Sequence, residues 1–431
     1  MVKILRSKEK KFFEKFRKLL TKRETSDNKV EKVVDDIINK IKKESDSALI
    51  SLTKRFDNFN VKNFSQLQVK ESELRNSLNN LDPKVLRALK TAIKRIKAYH
   101  KKQIPRDNIY KDNQGVILGG LWNAIESVGL YVPGGTASYP SSLIMNAVPA
   151  IVAGVKRIVI TCPAVDSHLN PLILASARLL GIKEIYKVGG AQAIAALAIG
   201  TKKINKVDKI VGPGNAYVAM AKKKLFGKVG IDMIAGPSEI LIIADKKNNP
   251  EHIAIDLLSQ AEHDKLAQSI LITDDERFAK AVISDVDRIL RKLERRTIAE
   301  KSWQDYGAVI ICKNLNESIQ LVNQIAPEHL EIATSNPKTY LKKIRNAGSI
   351  FLGRYTPEAI GDYVAGPNHV LPTDRTAKFS SGLNVLDFFK RTSVVSCNKR
   401  NIKIIGEDAI TLAYQEGLQA HALSIECRIK Q

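Results

Sequence analysis

The sequence predicts an α/β protein built on parallel sheets and preceded by a helical segment. From residue 115 onward, short apolar strands alternate with glycine-containing turns and alanine-rich helices, the pattern of parallel sheets covered by helices. Before that point, residues 30–57 and 82–101 repeat apolar positions at helical spacing. A chain of 431 residues is too long for one ordinary core, so we expect two main domains.

Composition indicates a globular protein without a membrane partner. Apolar residues make up 44% of the chain, which supports sizeable cores. No apolar run reaches membrane-spanning length, and the lysine-rich residues 1–20 lack the apolar core of a signal peptide. We therefore expect a cytoplasmic protein. Four scattered cysteines form no CxxC pair, so neither a disulfide framework nor a thiolate zinc site is expected.

The net charge of +24 has two interpretations. It indicates either a polyanion partner such as nucleic acid or a lysine-rich solvated surface. The lysines are spread along the whole chain, and no aromatic residues are interleaved with them as single-strand binding requires. This favours the solvated surface, so no nucleic-acid partner is expected.

Local signals place the helices of the first hundred residues. Five apolar residues within 12–20 fit one helix face. Residues 30–57 suggest two helices that break near Ser45. The helix over 82–101 has Asp82 in the N-cap position and Pro83 at its first position.

Three glycine turns follow predicted strands, at 133–136, 189–190 and 213–215. Each precedes a helix, where free backbone N–H groups and the helix dipole favour an anion. Together they suggest a dinucleotide crevice at the carboxyl ends of the strands. The alternative is that the glycines merely make tight turns, since no GxGxxG is present.

Polar residues of three later segments are candidates for chemistry. Gln260 and His263 are predicted on one face of a helix. They either provide half of a metal's ligands or are polar side chains exposed to solvent. Glu328 and His329 follow a proline as an acid–base pair or an ordinary polar turn. Residues 361–369 (GDYVAGPNH) form a polar loop that carries an acid and a histidine.

The motifs together resemble one family, histidinol dehydrogenase, over nearly the whole chain from about residue 30. They occur in that family's order: GLYVPGGT (129–136), GGAQAIA (189–195), GPGN (212–215), GPSE (236–239), SQAEH (259–263), APEH (326–329), GDYVAGPNH (361–369) and EGLQAH (416–421).

The resemblance implies an oxidoreductase that oxidises L-histidinol through L-histidinal to L-histidine with two NAD+, the last step of histidine biosynthesis. It also implies one zinc per subunit in a homodimer. The zinc ligands would be Gln260, His263 and Asp362, together with His421 of the partner subunit. Zinc has no redox role and would orient the imidazole and amino groups of the substrate.

By the same resemblance, His329 removes the alcohol proton and Glu328 activates the water that attacks the aldehyde. The implied NAD contacts are Tyr131, Gln192 and Asn215. The implied substrate contacts are Ser238, Gln260, His263, His329, Asp362, His369, Glu416 and His421.

The resemblance also implies two Rossmann-like domains, one of them discontinuous, with small helical terminal segments. The expected boundaries are an N-terminal helical arm (1–29), the first part of domain 1 (30–130), domain 2 (131–238), the second part of domain 1 (239–381) and a C-terminal dimerisation tail (382–431). Two positions depart from the family pattern. Ser45 stands where relatives usually have glycine, and Asp264 begins an unusual turn after His263.

Two rival classes remain at this point. A zinc hydrolase would use the same residue types around a metal-bound water, but it would not need glycine turns for a dinucleotide. A basic nucleic-acid-binding protein would show clustered charge and salt-sensitive binding.

Overall fold

A computed structural model of the chain describes residues 2–23, 28–79, 81–134, 139–164 and 167–430. Fourteen strands lie in these segments: β1 Lys3–Arg6, β2 Asn108–Lys111, β3 Ile117–Ala124, β4 Ser127–Tyr131, β5 Arg157–Thr161, β6 Glu184–Tyr186, β7 Lys209–Val211, β8 Gly230–Ile231, β9 Glu239–Ala244, β10 Gln268–Thr273, β11 Ala308–Ile311, β12 His329–Ala333, β13 Ser349–Leu352 and β14 Phe389–Ser396.

Sixteen α-helices accompany the strands in the same described segments: α1 Phe12–Thr21, α2 Asn28–Glu44, α3 Asp46–Phe56, α4 Glu71–Asn76, α5 Pro83–Lys101, α6 Pro140–Ala153, α7 Pro171–Leu180, α8 Gly190–Ile199, α9 Ala216–Leu225, α10 Pro250–Ala261, α11 Glu276–Leu290, α12 Arg296–Tyr306, α13 Glu317–Ile325, α14 Glu358–Tyr363, α15 Lys399–Gln415 and α16 Gln419–Ile429. Of the helices described, none is long and apolar enough to span a bilayer.

A six-stranded parallel sheet has the order β1-β11-β10-β9-β12-β13. Its central strands β9 and β10 are buried along their whole length, which is why they are nearly continuous apolar runs. Helices α1 and α13 pack on one face of the sheet, and α10, α11 and α12 pack on the other.

The N-terminal segment differs in part from the expected helical arm. Helix α1 is present as predicted, but the chain first forms β1, which pairs with β11 from Lys3 opposite Ala308 onward. No local pattern predicted this strand, because its partner lies about three hundred residues further along the chain.

A five-stranded parallel sheet has the order β6-β5-β4-β7-β8. Helices α2, α3 and α5 share its hydrophobic core. The helical front therefore packs on this sheet, whereas the sequence analysis grouped residues 30–130 with residues 239–381. The domain boundaries themselves stay a prediction.

The predicted fold class is confirmed: a mixed α/β protein with two parallel sheets and helices near both termini. The expected helix break is also confirmed, since Ser45 separates α2 from α3 with a φ of 56°. Asp82 caps α5 by accepting a hydrogen bond from the Lys84 N–H at 2.7 Å.

A third sheet carries the C-terminal part of the chain. It is antiparallel, in the order β14-β3-β2. Residues 389–430, here called the C-terminal arm, continue from β14 into the helical pair α15 and α16. This arm exposes large apolar side chains: Val395, Ile404, Leu412, Tyr414, Leu418 and Leu423.

Candidate active site

Glu328 and His329 lie at the amino end of β12, which pairs with β9 on one side and with the edge strand β13 on the other. His329 is the first residue of β12, opposite Ile240 of β9, and Glu239 is the first residue of β9. Glu328 and His329 are only 6% and 4% exposed. The adjacent pair is therefore buried at a strand end and is not an ordinary polar turn.

Glu239 contacts both members of this pair. Its backbone N–H donates to Oε2 of Glu328 at 2.8 Å, and its carboxylate accepts from the Glu328 N–H at 3.3 Å. Its carbonyl oxygen lies 3.0 Å from Nδ1 of His329. Because a carbonyl only accepts, Nδ1 donates, and Nε2 of the neutral ring carries the lone pair.

Burial sets the protonation of the pair. Burial lowers the pKa of His329 to about 4, so its ring is neutral near pH 7 and able to accept a proton. Burial also raises the pKa of Glu328 well above its usual value; the charge of Asp362 adds to this rise and that of Arg23 opposes it. A neutral imidazole beside a carboxyl group of raised pKa is suited to proton transfer.

The side chain of Asp362 links His329 to His369. Its Oδ1 lies 3.9 Å from Nε2 of His329 and 3.6 Å from Nδ1 of His369. The sequence analysis placed Asp362 in a loop, and this is wrong, because Gly361, Asp362 and Tyr363 complete the short helix α14. The helix fixes the direction of the carboxylate more firmly than a loop would.

Gln260 and His263 do not share a helix face as predicted. Helix α10 ends at Ala261, and the N–H of His263 donates to the Gln260 carbonyl at 3.2 Å in the turn that follows. Gln260 is 1% exposed, whereas His263 is exposed at the end of the turn. Partial desolvation lowers the pKa of His263, and the nearby charge of Asp362 opposes this shift. The turn thus places His263 close enough to Asp362 to feel its charge.

Asp264, the departure after His263, has a structural use. Its Oδ1 accepts from the Leu266 N–H at 2.8 Å, and its carbonyl accepts from the Ala267 N–H at 3.0 Å. Asp264 therefore closes the turn that leads into β10, and its side chain is occupied there.

Two buried glutamates of this region were missed by the sequence analysis. Glu358 and Glu331 are 2% and 3% exposed, and the Glu358 N–H donates to Oε1 of Glu331 at 2.5 Å. Burial raises the pKa of both carboxyls. Glu358 is the first residue of α14 and lies outside the motifs that the sequence analysis singled out.

The donor atoms present fit a metal ion. One oxygen or nitrogen each of His329, Glu358 and Asp362 lies within 4.8 Å of the others. Oε1 of Gln260 and Nε2 of His329 are buried and make no hydrogen bond among the residues described. Unpartnered buried acceptors are costly. A bound cation would satisfy Oε1 of Gln260, and a substrate hydroxyl would satisfy Nε2 of His329. A set of nitrogen and oxygen donors without thiolate suits zinc.

The remaining predicted substrate contacts are not all brought together within one chain. Ser238 directly precedes Glu239, and its carbonyl accepts from the Gln268 N–H at 2.9 Å. Glu416 and His421 are exposed on the C-terminal arm. In the part of the chain that the structure describes, no hydrogen bond or ion pair joins either of them to the cluster around Asp362.

The glycine turns lie at the carboxyl end of the five-stranded sheet. β4 lies between β5 and β7, so the strand order reverses there, and such switch points form ligand crevices. Tyr131 ends β4, and its hydroxyl accepts from the Gly190 N–H at 3.1 Å. Burial raises the pKa of Tyr131, so the hydroxyl stays protonated. The first turn continues into residues 135–138, which lie outside the described residues.

Asp57, which follows α3, holds the second glycine turn. Its carboxylate accepts from the Gly189 N–H at 2.8 Å and from Nε2 of Gln192 at 3.3 Å. Burial raises the pKa of Asp57 to about 6. Gln192 is therefore positioned by a residue from the helical front, about one hundred and thirty residues earlier in the chain.

Asn215 caps α9 at the third turn, where its Oδ1 accepts from the N–H groups of Tyr217 and Val218 at 3.1 and 3.2 Å. Gly212 has a φ of 116°, and a Cβ at this position would lie 2.1 Å from the Tyr131 carbonyl oxygen, so only glycine fits. Below the turn, the buried Lys222 pairs with Asp232 and donates to the Gly212 carbonyl at 2.9 Å.

Parallel sheets, glycine turns at a switch point and a buried histidine–carboxylate cluster are together typical of an α/β dehydrogenase. Comparison with known proteins narrows this class. The family model "Histidinol dehydrogenase" matches residues 20–429.

Individual relatives agree with the family match. Histidinol dehydrogenase of Brucella abortus is 55% identical over 430 residues, covering 100% of both chains. That of Rhizobium meliloti is 55% identical over 411 residues, covering 95% of this chain and 94% of the relative. The crystal structure of histidinol dehydrogenase from Elizabethkingia anophelis matches with a TM-score of 0.94 at 36% identity, covering 100% of this chain and 98% of that one. The chain belongs to the histidinol dehydrogenase family and is an oxidoreductase of histidine biosynthesis.

Proposed function

We propose that this enzyme oxidises L-histidinol through L-histidinal to L-histidine with two molecules of NAD+. The observation that carries the proposal is the buried pair of Glu328 and His329, in which Nε2 of a neutral imidazole is free to accept a proton. One base is needed for each oxidation, and the pair supplies two adjacent ones.

His329 serves the first oxidation in this proposal. Nε2 takes the proton of the substrate hydroxyl while the hydride on the same carbon leaves to NAD+, and the product is the aldehyde. The hydrogen bond from Nδ1 to the Glu239 carbonyl keeps the ring in the tautomer that this step requires. A pKa of about 4 keeps Nε2 free of a proton before the substrate binds.

Glu328 serves the second oxidation. Its carboxylate takes a proton from water as the water oxygen bonds to the aldehyde carbon, which gives the monoanion of the hydrated aldehyde, with the charge on the former carbonyl oxygen. A second hydride then leaves that carbon to a second NAD+ as the carbonyl re-forms, which gives the carboxylic acid, and the acid releases its proton to give histidine. The raised pKa of Glu328 makes its ionised form a stronger base toward water than an exposed glutamate would be.

We propose that zinc is held by Gln260, His263 and Asp362 with His421 of the partner subunit, one ion per subunit. The buried, unpartnered Oε1 of Gln260 supports this donor set. Zinc supplies a Lewis acid that orients the imidazole and amino groups of the substrate. Ser238, His369 and Glu416 are the proposed further substrate contacts.

We propose that NAD+ lies across the switch point of the five-stranded sheet, against Tyr131, Gln192 and Asn215. The support is geometric. Tyr131 ends β4, Gln192 follows β6 and Asn215 follows β7, so all three lie at the carboxyl ends of strands in the same sheet. The positive end of the α9 helix dipole, at Asn215, suits the pyrophosphate.

A homodimer in the cytoplasm completes the proposal, without nucleic-acid or membrane partners. The exposed apolar side chains of the C-terminal arm support dimerisation, since a second copy would cover them. His421 and Glu416 lie on that arm and would then reach the partner's cluster.

The test is to measure NADH formed from L-histidinol and NAD+ and to count NADH per histidine produced. We expect two NADH per histidine, lost in His329→Ala and lost on chelation of zinc. His252→Ala is the matched control, because His252 lies at the opposite end of α10. This variant should retain turnover. No NADH from folded, zinc-loaded wild-type dimer would overturn the proposed function.

A further inference from the structure

Arg23 connects the N-terminal segment to the candidate active site. Its guanidinium forms a buried ion pair with Glu239, and the two side chains are 8% and 4% exposed. It also donates to the carbonyl groups of Pro237 and Leu266 at 3.3 and 3.4 Å. These contacts hold Arg23 against the first residue of β9.

The carboxylate of Glu239 is shared between Arg23 and the catalytic pair. Oε1 accepts from Arg23 and from the Asp374 N–H at 3.1 Å, while Oε2 accepts from the Glu328 N–H at 3.3 Å. The backbone of Glu239 binds the side chains of Glu328 and His329. One residue therefore sets the position of both bases, and one arginine sets the position of that residue.

A buried carboxylate needs such a partner. Without a cation, the carboxylate of Glu239 would be an uncompensated charge close to a second buried carboxyl, that of Glu328. It would then take up a proton or turn toward water. Either change weakens the acceptor that fixes the Glu328 backbone, although the ladder between β9 and β12 would still hold His329.

We propose that Arg23 is a positioning residue for Glu328, acting through Glu239, and that its loss slows the oxidation of the aldehyde more than the oxidation of the alcohol. This inference rests on the roles given to Glu328 and His329 under the proposed function. Arg23 lies 216 positions from Glu239 in the chain. Among the described residues, its hydrogen bonds reach Glu239 and the carbonyl groups of Pro237 and Leu266, none of which is a proposed substrate or cofactor contact.

The experiment compares Arg23→Met, which keeps the length but removes the charge, with Arg23→Lys, which keeps the charge. Arg6→Met is the matched control: it lies in the same N-terminal segment and removes an exposed ion pair with Glu276. Purified wild-type and variant enzymes are assayed separately with L-histidinol and with L-histidinal as the substrate, and folding is checked by thermal unfolding.

In Arg23→Met we expect kcat for L-histidinal to fall by about 10–100-fold, the size of effect that a small misplacement of a catalytic group produces. KM should stay within about 3-fold, because substrate contacts are untouched. Arg23→Lys should recover most of the loss, and millimolar guanidinium should restore part of the activity of Arg23→Ala.

Several outcomes overturn the inference. Unchanged kcat for the aldehyde in folded Arg23→Met would do so, as would equal losses for both substrates or an equal loss in Arg6→Met. If Arg23→Met does not fold, Arg23→Ala replaces it. A wild-type ratio of the two kcat values in folded Arg23→Ala without guanidinium overturns the inference. Wild-type enzyme without any NADH overturns the proposed function and this inference together; an active wild type with an unaffected variant overturns the inference alone.

Discussion

The two parallel sheets present their functional residues at opposite ends and by different means. In the six-stranded sheet, Glu239 and His329 lie at the amino ends of the strands, and buried charged side chains make the contacts. In the five-stranded sheet, the turns after β4, β6 and β7 lie at the carboxyl ends, and backbone groups make most contacts.

This difference explains what each site is suited to do. Backbone N–H groups offer fixed partial charges that hold an anionic ligand without changing protonation. Buried carboxyl and imidazole groups have shifted pKa values and therefore exchange protons with a substrate. Under the proposed function, NAD+ binding and proton transfer are thus separated between the two sheets, and variants of each sheet should fail in different ways.

The largest expected effect is on catalysis at the six-stranded sheet, with the five-stranded sheet left unchanged. Glu328→Gln should lower the rate of aldehyde oxidation by about 10²–10⁴-fold, because the amide cannot accept a proton from water. The first oxidation should continue, so trapping with semicarbazide would detect histidinal and NADH per substrate would approach one. A count that remains at two would mean that another group activates the water.

A second variant removes the buried ion pair between Lys222 and Asp232 beneath the third turn of the five-stranded sheet. Lys222→Met should lower the free energy of unfolding by about 3–5 kcal/mol, because it leaves Asp232 buried without its partner. The neighbouring Lys223→Met is the control; it is exposed and should change stability by no more than about 0.5 kcal/mol. Urea titrations measure both, and equal stabilities for the two variants would contradict this account of the third turn.

A third prediction concerns the pH dependence of stability that Asp57 gives to the five-stranded sheet. Asp57 has a folded pKa of about 6 against an ordinary 3.8. Its protonated form stabilises the fold, so this contribution is fully present below pH 3.8 and is lost as pH rises through about 6. We expect wild type to lose about 1–3 kcal/mol more than Asp57→Asn over this window. Parallel pH curves for the two proteins would contradict it.

The smallest expected effect concerns the helix break before the five-stranded sheet. Ser45 has a positive φ of 56°, while its hydroxyl accepts from the Lys202 N–H at 2.9 Å. Ser45→Gly should relieve about 1–3 kcal/mol of strain and lose about 1 kcal/mol with the hydrogen bond, a net gain near 1 kcal/mol. Ser45→Ala keeps the strain and should be less stable than wild type. Thermal unfolding that ranks alanine above glycine would show that the backbone there is not strained.

Local signals in the sequence predicted most of the five-stranded sheet and its turns. Strand, glycine and helix cap follow one another directly in this region, so Asn215 could be placed at the start of α9 from its neighbours alone. Short-range patterns also predicted α5 and the break at Ser45. What they could not show was that Asp57 reaches Gly189, because that contact depends on how α3 packs.

The site on the six-stranded sheet was predictable only in part. Glu328 and His329 stood out as an adjacent pair, and the resemblance pointed to Asp362. Arg23 and Glu358 belong to no motif of the resemblance, and Glu239, the last residue of GPSE, was given no role there, because the contacts of all three depend on partners distant in sequence. The helix periodicity that placed His263 beside Gln260 was wrong, since the C-cap at Glu262 ends the helix first.

The pairing of β1 with β11 also sets an order in time. Lys3 leaves the ribosome 305 residues ahead of its partner Ala308, an interval of about 15–60 s at ordinary rates of synthesis. During that interval β1 has no strand beside it. Arg23 likewise has no ion-pair partner until Glu239 is synthesised, 216 residues later. The proposed proton-transfer centre therefore cannot assemble while the earlier half of the chain is emerging from the ribosome, because Glu239, Glu328 and His329 all belong to the later half.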